Sequence, residues 1–355
     1  MIQRPPSTQP QSNSHTSPNQ EPEEVGKSLP QAVGYNVASL RTQFPNRREE
    51  VVSGILRRGE IMNIIGAPKT GKSWFAYGLC LAIASGNQWF GRSVTQGRVI
   101  LLDNELHPEE LSHRVGAVAK AMNIDLADLN DQMVVYPMRG LGCTIKDISI
   151  LLRSNFKDIP IGLVVIDAFY RVLPSGMSEN SNTEMADIYN KLDSIALEID
   201  APIALNHHTS KGDQSQKAVT DVGSGAGAMT RATDTHLILR PHRLENCVVL
   251  DGVVRSNTSI NPKTLCFDWP LWIVKDGIEA ELKPSGKERT QAKNDAEADE
   301  IVLGILRNES MTQRKVQSES GFGGPRTART VARLKREKKI METTDKSLAI
   351  VEGVR

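Results

Sequence analysis

Eight consecutive residues, Gly66, Ala67, Pro68, Lys69, Thr70, Gly71, Lys72 and Ser73, match the pattern GxxxxGK[ST]. A compact polyanion such as a triphosphate needs backbone N–H groups that can approach it and a helix N-terminus that faces it with partial positive charge. Two glycines at this spacing allow both. The pattern lies between an aliphatic run at 62–65 and an amphipathic stretch beginning at Lys72, the strand-then-helix context such a loop requires. Lys72 is expected to reach the β and γ phosphates of ATP and Ser73 to hold Mg2+, and Gly66 to Trp74 together form the expected nucleotide-binding set. Pro68 removes one backbone donor early in the loop, a loss expected to be tolerated.

Two further aliphatic runs end in acids. Residues 162–167 read Gly-Leu-Val-Val-Ile-Asp, and a rigid strand ending in Asp167 would hold a carboxylate within reach of the magnesium shell. The plainer reading is a strand-end aspartate that caps the next loop. Residues 99–105 read Val-Ile-Leu-Leu-Asp-Asn-Glu. Glu105 is the candidate base that orients an attacking water, with Asp103 as competitor and a helix-capping acid as the alternative. In RecA-like ATPases the catalytic glutamate follows the strand beside the P-loop strand. In AAA+ proteins it directly follows the strand-end aspartate, whereas here Asp167 is followed by Ala168 and Phe169.

The elements that must position these residues are legible as short, continuously apolar runs at 61–65, 99–102, 133–136, 162–166, 202–205 and 236–239. Runs of this kind, separated by amphipathic stretches, are strands buried on both faces. They predict an α/β fold, a mostly parallel central sheet flanked by helices. Residues 247–254 and 265–273 read as antiparallel strands that extend it. The chain has 355 residues and a formal net charge of +1, room for one large core and one small module with no global bias toward polyanions. Residues 1–32 are polar and rich in Pro, Ser and Gln and are expected to be a disordered tail. The core is expected over 33–274, a charged linker over 275–297 and a separate module over 298–355. Cys80, Cys143, Cys247 and Cys266 show no CxxC spacing, so they are expected to be reduced thiols of a cytoplasmic protein. No run approaches the length of a membrane span.

After the run at 202–205 come Asn206, His207, His208, Thr209, Ser210 and Lys211. Here the chain resembles the RepA-type hexameric replicative helicases, a RecA-like P-loop ATPase family whose members carry a similar HHTSK segment. The resemblance covers residues from about 40 to 245. It implies a ring of identical subunits in which His207 or His208 senses the γ phosphate. The alternatives for this pair are a satisfied core feature or half of a metal site. The loop at 212–222 corresponds to the region bordering the DNA channel, which makes Lys217 a contact candidate. The resemblance also implies a cation supplied in trans, for which Lys211, Arg231 and Arg240 are available.

The last segment resembles a winged helix-turn-helix. Residues 311–340 carry nine lysines and arginines against two acidic residues. Ala328, Val331 and Leu334 recur at helical spacing as a packed face, leaving Arg326, Arg329, Arg333 and Arg336 to face DNA. The plainer alternative is a solvated helix in a packing module. Two functions follow: an ATP-driven nucleic-acid motor, or an ATP-gated regulator that reads duplex DNA. A small-molecule kinase would need an acceptor pocket and a lid, and neither is visible.

Overall fold

The computed structural model describes residues 33–177, 181–209, 229 and 231–351. The chain divides into two compact units, Met1–Arg47 and Arg48–Arg355. The first contains helix α1 (Val37–Gln43), capped by the Asn36 side chain and without a buried residue. The boundary expected near residue 33 therefore moves to Arg48, because nothing in α1 enters a core.

The second unit opens with a ribbon of β1 (Glu50–Val52) and β2 (Leu56–Arg57). It continues through β3 (Ile61–Gly66), α2 (Lys72–Ser85), β4 (Val99–Asp103), α3 (Pro108–Ala121), α4 (Leu126–Leu129) and β5 (Met133–Pro137). Then follow α5 (Ile145–Phe156), β6 (Leu163–Asp167), α6 (Asn182–Glu198), β7 (Ile203–His208) and β8 (Thr235–Pro241). Strands β9 (Cys247–Val254), β10 (Ile260–Asp268) and β11 (Leu271–Val274) close the series. Among the described residues the main sheet has nine strands in the order β11-β10-β9-β8-β3-β7-β6-β4-β5. From β5 to β8 all neighbours are parallel, and β9, β10 and β11 add antiparallel.

Every residue of β3, β4 and β6 is buried, as their continuous apolar runs require. Phe75, Leu79 and Ile83 of α2 pack with Leu111 and Val118 of α3 on one face. Ile148 and Leu152 of α5 pack with Ile188, Tyr189 and Leu192 of α6 on the other. A Cβ at Gly97 would lie 2.9 Å from the Gly162 Cα, so glycines at both positions let the segments leading into β4 and β6 meet.

Three expectations are corrected here. The strand carrying Glu105 is not beside the P-loop strand, because β7 and β6 lie between β3 and β4. Sequence shows the ends of strands but not their lateral order. Residues 286–297 are helical rather than linker: α7 (Gly286–Asn308) starts at a capping box between Ser285 and Glu288, which fixes the helix in a stretch whose charge suggested a tether. Cys247 and Cys266 form a disulfide, since β9 and β10 pair in the register that sets these two residues opposite one another. The other two cysteines are free.

The C-terminal segment continues α7 with β12 (Met311–Thr312), α8 (Gln313–Ser320), α9 (Gly324–Arg336), β13 (Ile340–Glu342) and β14 (Ser347–Ile350), with strand order β12-β14-β13. Val302, Leu306, Val316, Val331, Leu334 and Leu348 form its own apolar cluster. Pro325 sits in the first turn of α9, where it loses no helical hydrogen bond. Ala328, expected in the packed face, is exposed. Thr327, Thr330, Val331 and Leu334 are the buried residues of α9, so the apolar stripe lies one position from where hydrophobicity alone drew it.

Candidate functional site

The loop after β3 turns through Lys69 at φ +64° and Gly71 at φ +80° before α2 begins at Lys72. Gly71 is required on two counts. Its backbone is left-handed, and a Cβ there would lie 2.8 Å from the Trp272 ring, whose Nε1 donates to the Gly71 carbonyl at 3.1 Å. At Gly66 a Cβ would meet the Thr70 Oγ1 at 2.6 Å. The Thr70 hydroxyl donates to the Ala67 carbonyl at 2.7 Å and ties the loop to itself. Pro68 is exposed in this turn.

Lys72 is buried, with its Nζ 3.0 Å from the Gly66 carbonyl, 3.1 Å from that of Ala67 and 3.2 Å from His208 Nδ1. Burial lowers its pKa to about 8, against the pull of Asp167 and Glu105 toward the charged form. Asp167, at the end of β6, is 3% exposed, and its Oδ2 has no hydrogen-bond partner. Burial pushes its carboxyl up to about 6; the nearby Ser73 hydroxyl opposes the shift and Asp103 adds to it.

Asp103 and Glu105 separate cleanly. Asp103 is buried, accepts from the Glu105 and Leu106 backbone N–H groups at 2.9 and 2.8 Å, and accepts from the Tyr77 hydroxyl at 3.1 Å. It fixes the turn after β4, with both oxygens engaged within the fold. Glu105 stands half-buried on that turn with its Oε1 4.0 Å from His208 Nε2. His208, chiefly, holds its carboxyl below the ordinary range, and Tyr170 helps.

A cavity of about 670 Å3 joins these groups: Lys69 to Trp74, Glu105, Asp167 and His208 all line it. His207 does not. It is buried on the opposite face of the sheet, 3.0 Å from the Tyr189 hydroxyl, which also donates to Asn63 at 2.9 Å, and burial lowers its pKa to about 3. The pair thus divides by the alternation of side chains along β7, with one histidine in the site and the other in the core. Among the described residues no cluster of His, Cys, Asp and Glu could hold a metal through several protein ligands.

Of the candidate trans-acting cations, Lys211 lies outside the described residues, as does Lys217. Arg231 is exposed beside Asn182, Thr183 and Ala186 of α6, away from the cavity. Arg240 is 6% exposed in β8, where burial lowers its pKa. In the C-terminal segment, Arg333 is not free to face a ligand: it pairs with Asp295 at 3.0 Å and Asp299 at 2.5 Å. Arg326 lies 4.2 Å over the Phe322 ring, while Arg329 and Arg336 are exposed.

Sequence reasoning missed the other wall of the cavity, formed by Leu106, Arg114, Asn246, Val248, Phe267 and Trp272. The aromatic residues of β10 and β11 were readable as strand formers, but nothing local tied them to a loop some two hundred residues earlier.

A mostly parallel sheet flanked by helices, with the P-loop after β3 and an aspartate ending β6 one strand removed, is the fold of a RecA-like P-loop NTPase; Glu105, on the strand beyond that of Asp167, lies farther from the P-loop strand than the sequence reading placed it. The chain belongs to the AAA domain family, whose match spans residues 30–214, just over half its length. No curated protein matches it. Similar solved structures include an ATPase domain, at 16% identity and TM-score 0.49 over 68% of this chain and 96% of that one. Another is a DnaB-like replicative helicase studied with its interactions with primase, at 17% identity and TM-score 0.49 over 67% of this chain and 66% of that one. The chain thus spans just under two thirds of that helicase.

Proposed function

We propose that this protein hydrolyses ATP and uses the energy to move or remodel nucleic acid as a ring of identical subunits. The observation that carries the hydrolytic part is the single cavity lined by the P-loop, Asp167, Glu105 and His208. Asp167 has a buried oxygen without a partner and shares that cavity with Ser73, so the two fit a magnesium shell completed by water and phosphate. Mg2+ bound there would neutralise charge on the β and γ phosphates. Lys72 would exchange its contacts with two carbonyls and His208 for phosphate oxygens. Glu105, held ionised by its neighbours, would orient a water for in-line attack and accept its proton. His208 touches both Lys72 and the neighbourhood of Glu105, which suits it to sense the γ phosphate.

The C-terminal segment supports a second reading, an ATP-gated regulator of duplex DNA. Its order of helix, strand, two helices and hairpin supports reading it as winged-helix-like, and the exposure of Arg329 and Arg336 of α9 supports phosphate contacts. Hydrolysis measured with and without single-stranded DNA, on the native chain, Lys72→Ala and Glu105→Gln, tests the motor. Strong stimulation, lost in both variants, is expected. Slow hydrolysis indifferent to single strands, together with tight duplex binding, would favour the regulator.

A further inference from the structure

The half of the cavity opposite the phosphate loop is aromatic. Trp74 of α2 lies 6.0 Å from Phe267, and Phe267 lies 5.1 Å from Trp272, both distances between ring centroids. Arg114 of α3 lies 5.2 Å over the Trp74 ring. Trp272 is anchored by its hydrogen bond to Gly71, so the wall and the phosphate loop are held in fixed relation. The adjoining positions are Val248, which is apolar, and Asn246, whose amide is exposed on a turn.

We propose that Trp74, Phe267 and Trp272 are the seat of the nucleotide base, and that they read it by its face rather than by its hydrogen-bonding edge. The ligand class is a nucleoside triphosphate with any of the common bases. Every base has a π face, so a stacking platform is tolerant of sequence, whereas discrimination requires buried donors and acceptors aimed at the base edge. The wall supplies ring faces and an exposed amide, and no buried polar side chain. It comes from β10 and β11, so the antiparallel extension of the sheet has a binding role in addition to a packing one. The inference rests on the P-loop holding a triphosphate.

Equilibrium binding to the full chain with Mg2+ separates the two ideas, using ATP, GTP, CTP, UTP and inorganic tripolyphosphate as ligands. Calorimetry gives the affinities, and intrinsic tryptophan fluorescence reports on the wall. The four nucleotides are expected to bind within about tenfold of one another and at least about tenfold more tightly than tripolyphosphate. They should change the tryptophan emission, and tripolyphosphate should not. Phe267→Ala should bring nucleotide affinity toward that of tripolyphosphate, while Phe267→Tyr keeps the ring and the affinity. Tripolyphosphate binding as tightly as ATP would overturn the base seat and leave the P-loop reading intact. A preference for ATP over GTP beyond tenfold would overturn reading by the face. If neither tripolyphosphate nor any nucleotide bound, the triphosphate site itself would fall, and the base seat with it.

Discussion

Asp167→Asn should make the nucleotide-free protein more stable at neutral pH even as it impairs the site. The carboxyl is buried and its pKa is raised from 3.8 to about 6. The unfolded chain ionises this group near its ordinary value, while the folded chain resists ionisation for about two further pH units. Its contribution is therefore fully present below the unfolded pKa and lost as pH rises through about 6. Two units correspond to about 3 kcal/mol at pH 7.5. Asparagine carries no charge to desolvate, but its amide meets the same lack of partners as Oδ2, which costs about 1 kcal/mol or more. A net gain of about 1–2 kcal/mol remains, or a few degrees in Tm for a domain of this size. Thermal melts by circular dichroism in chelator at pH 7.5 should show the variant melting higher, with the difference shrinking toward pH 4. Adding Mg2+ and ATP should raise the Tm of the native protein and have much less effect on the variant. A variant that melts at or below the native protein at pH 7.5 would refute the claim that Asp167 is held as an uncompensated buried charge.

Other consequences concern the scaffold. Tyr189→Phe removes the hydroxyl shared by Asn63 and His207 and should lower stability by about 1–3 kcal/mol, read as a drop in the urea midpoint; no drop would mean the pair is satisfied elsewhere. Reducing the Cys247–Cys266 bridge, whose cysteines are 19 residues apart, should cost about 3 kcal/mol by release of chain entropy. Urea unfolding with and without dithiothreitol measures that cost, and the Cys247→Ser, Cys266→Ser double variant should be insensitive to the reductant. Arg333→Gln should loosen α9 from α7, seen as faster hydrogen exchange across 286–350, because it leaves Asp299 unpaired at a half-buried site. Arg329→Gln with Arg336→Gln should instead lower duplex affinity and flatten its salt dependence, with exchange unchanged.

The phosphate loop, Asp167 and Glu105 were legible because each is a local pattern, an aliphatic run with a specific residue type at its end. The flanking strands β3, β4 and β6 were legible for the same reason, since burial on both faces forces an uninterrupted apolar run. What the sequence hid was lateral. The order β3-β7-β6-β4 is set by crossover connections and not by any residue in the strands, so nothing local in the sequence shows that two strands separate Glu105's strand from the P-loop strand. The disulfide was hidden for a related reason: Cys247 and Cys266 meet only once the register of β9 against β10 is fixed.

The division between His207 and His208 shows how alternation along one strand assigns chemistry. Adjacent residues of β7 point to opposite faces, so only one of the two can share a cavity with Lys72. His208 does, through Nδ1, and for that contact Nδ1 must present its lone pair to the lysine ammonium, which leaves the proton of a neutral ring on Nε2, facing Glu105. His207, with its pKa lowered by burial and its ring centroid 4.4 Å from that of Phe169, is fixed in the core. His207 and His208 are adjacent on β7, so one strand carries both the contact to Lys72 and the packing against Phe169, two residues after Asp167.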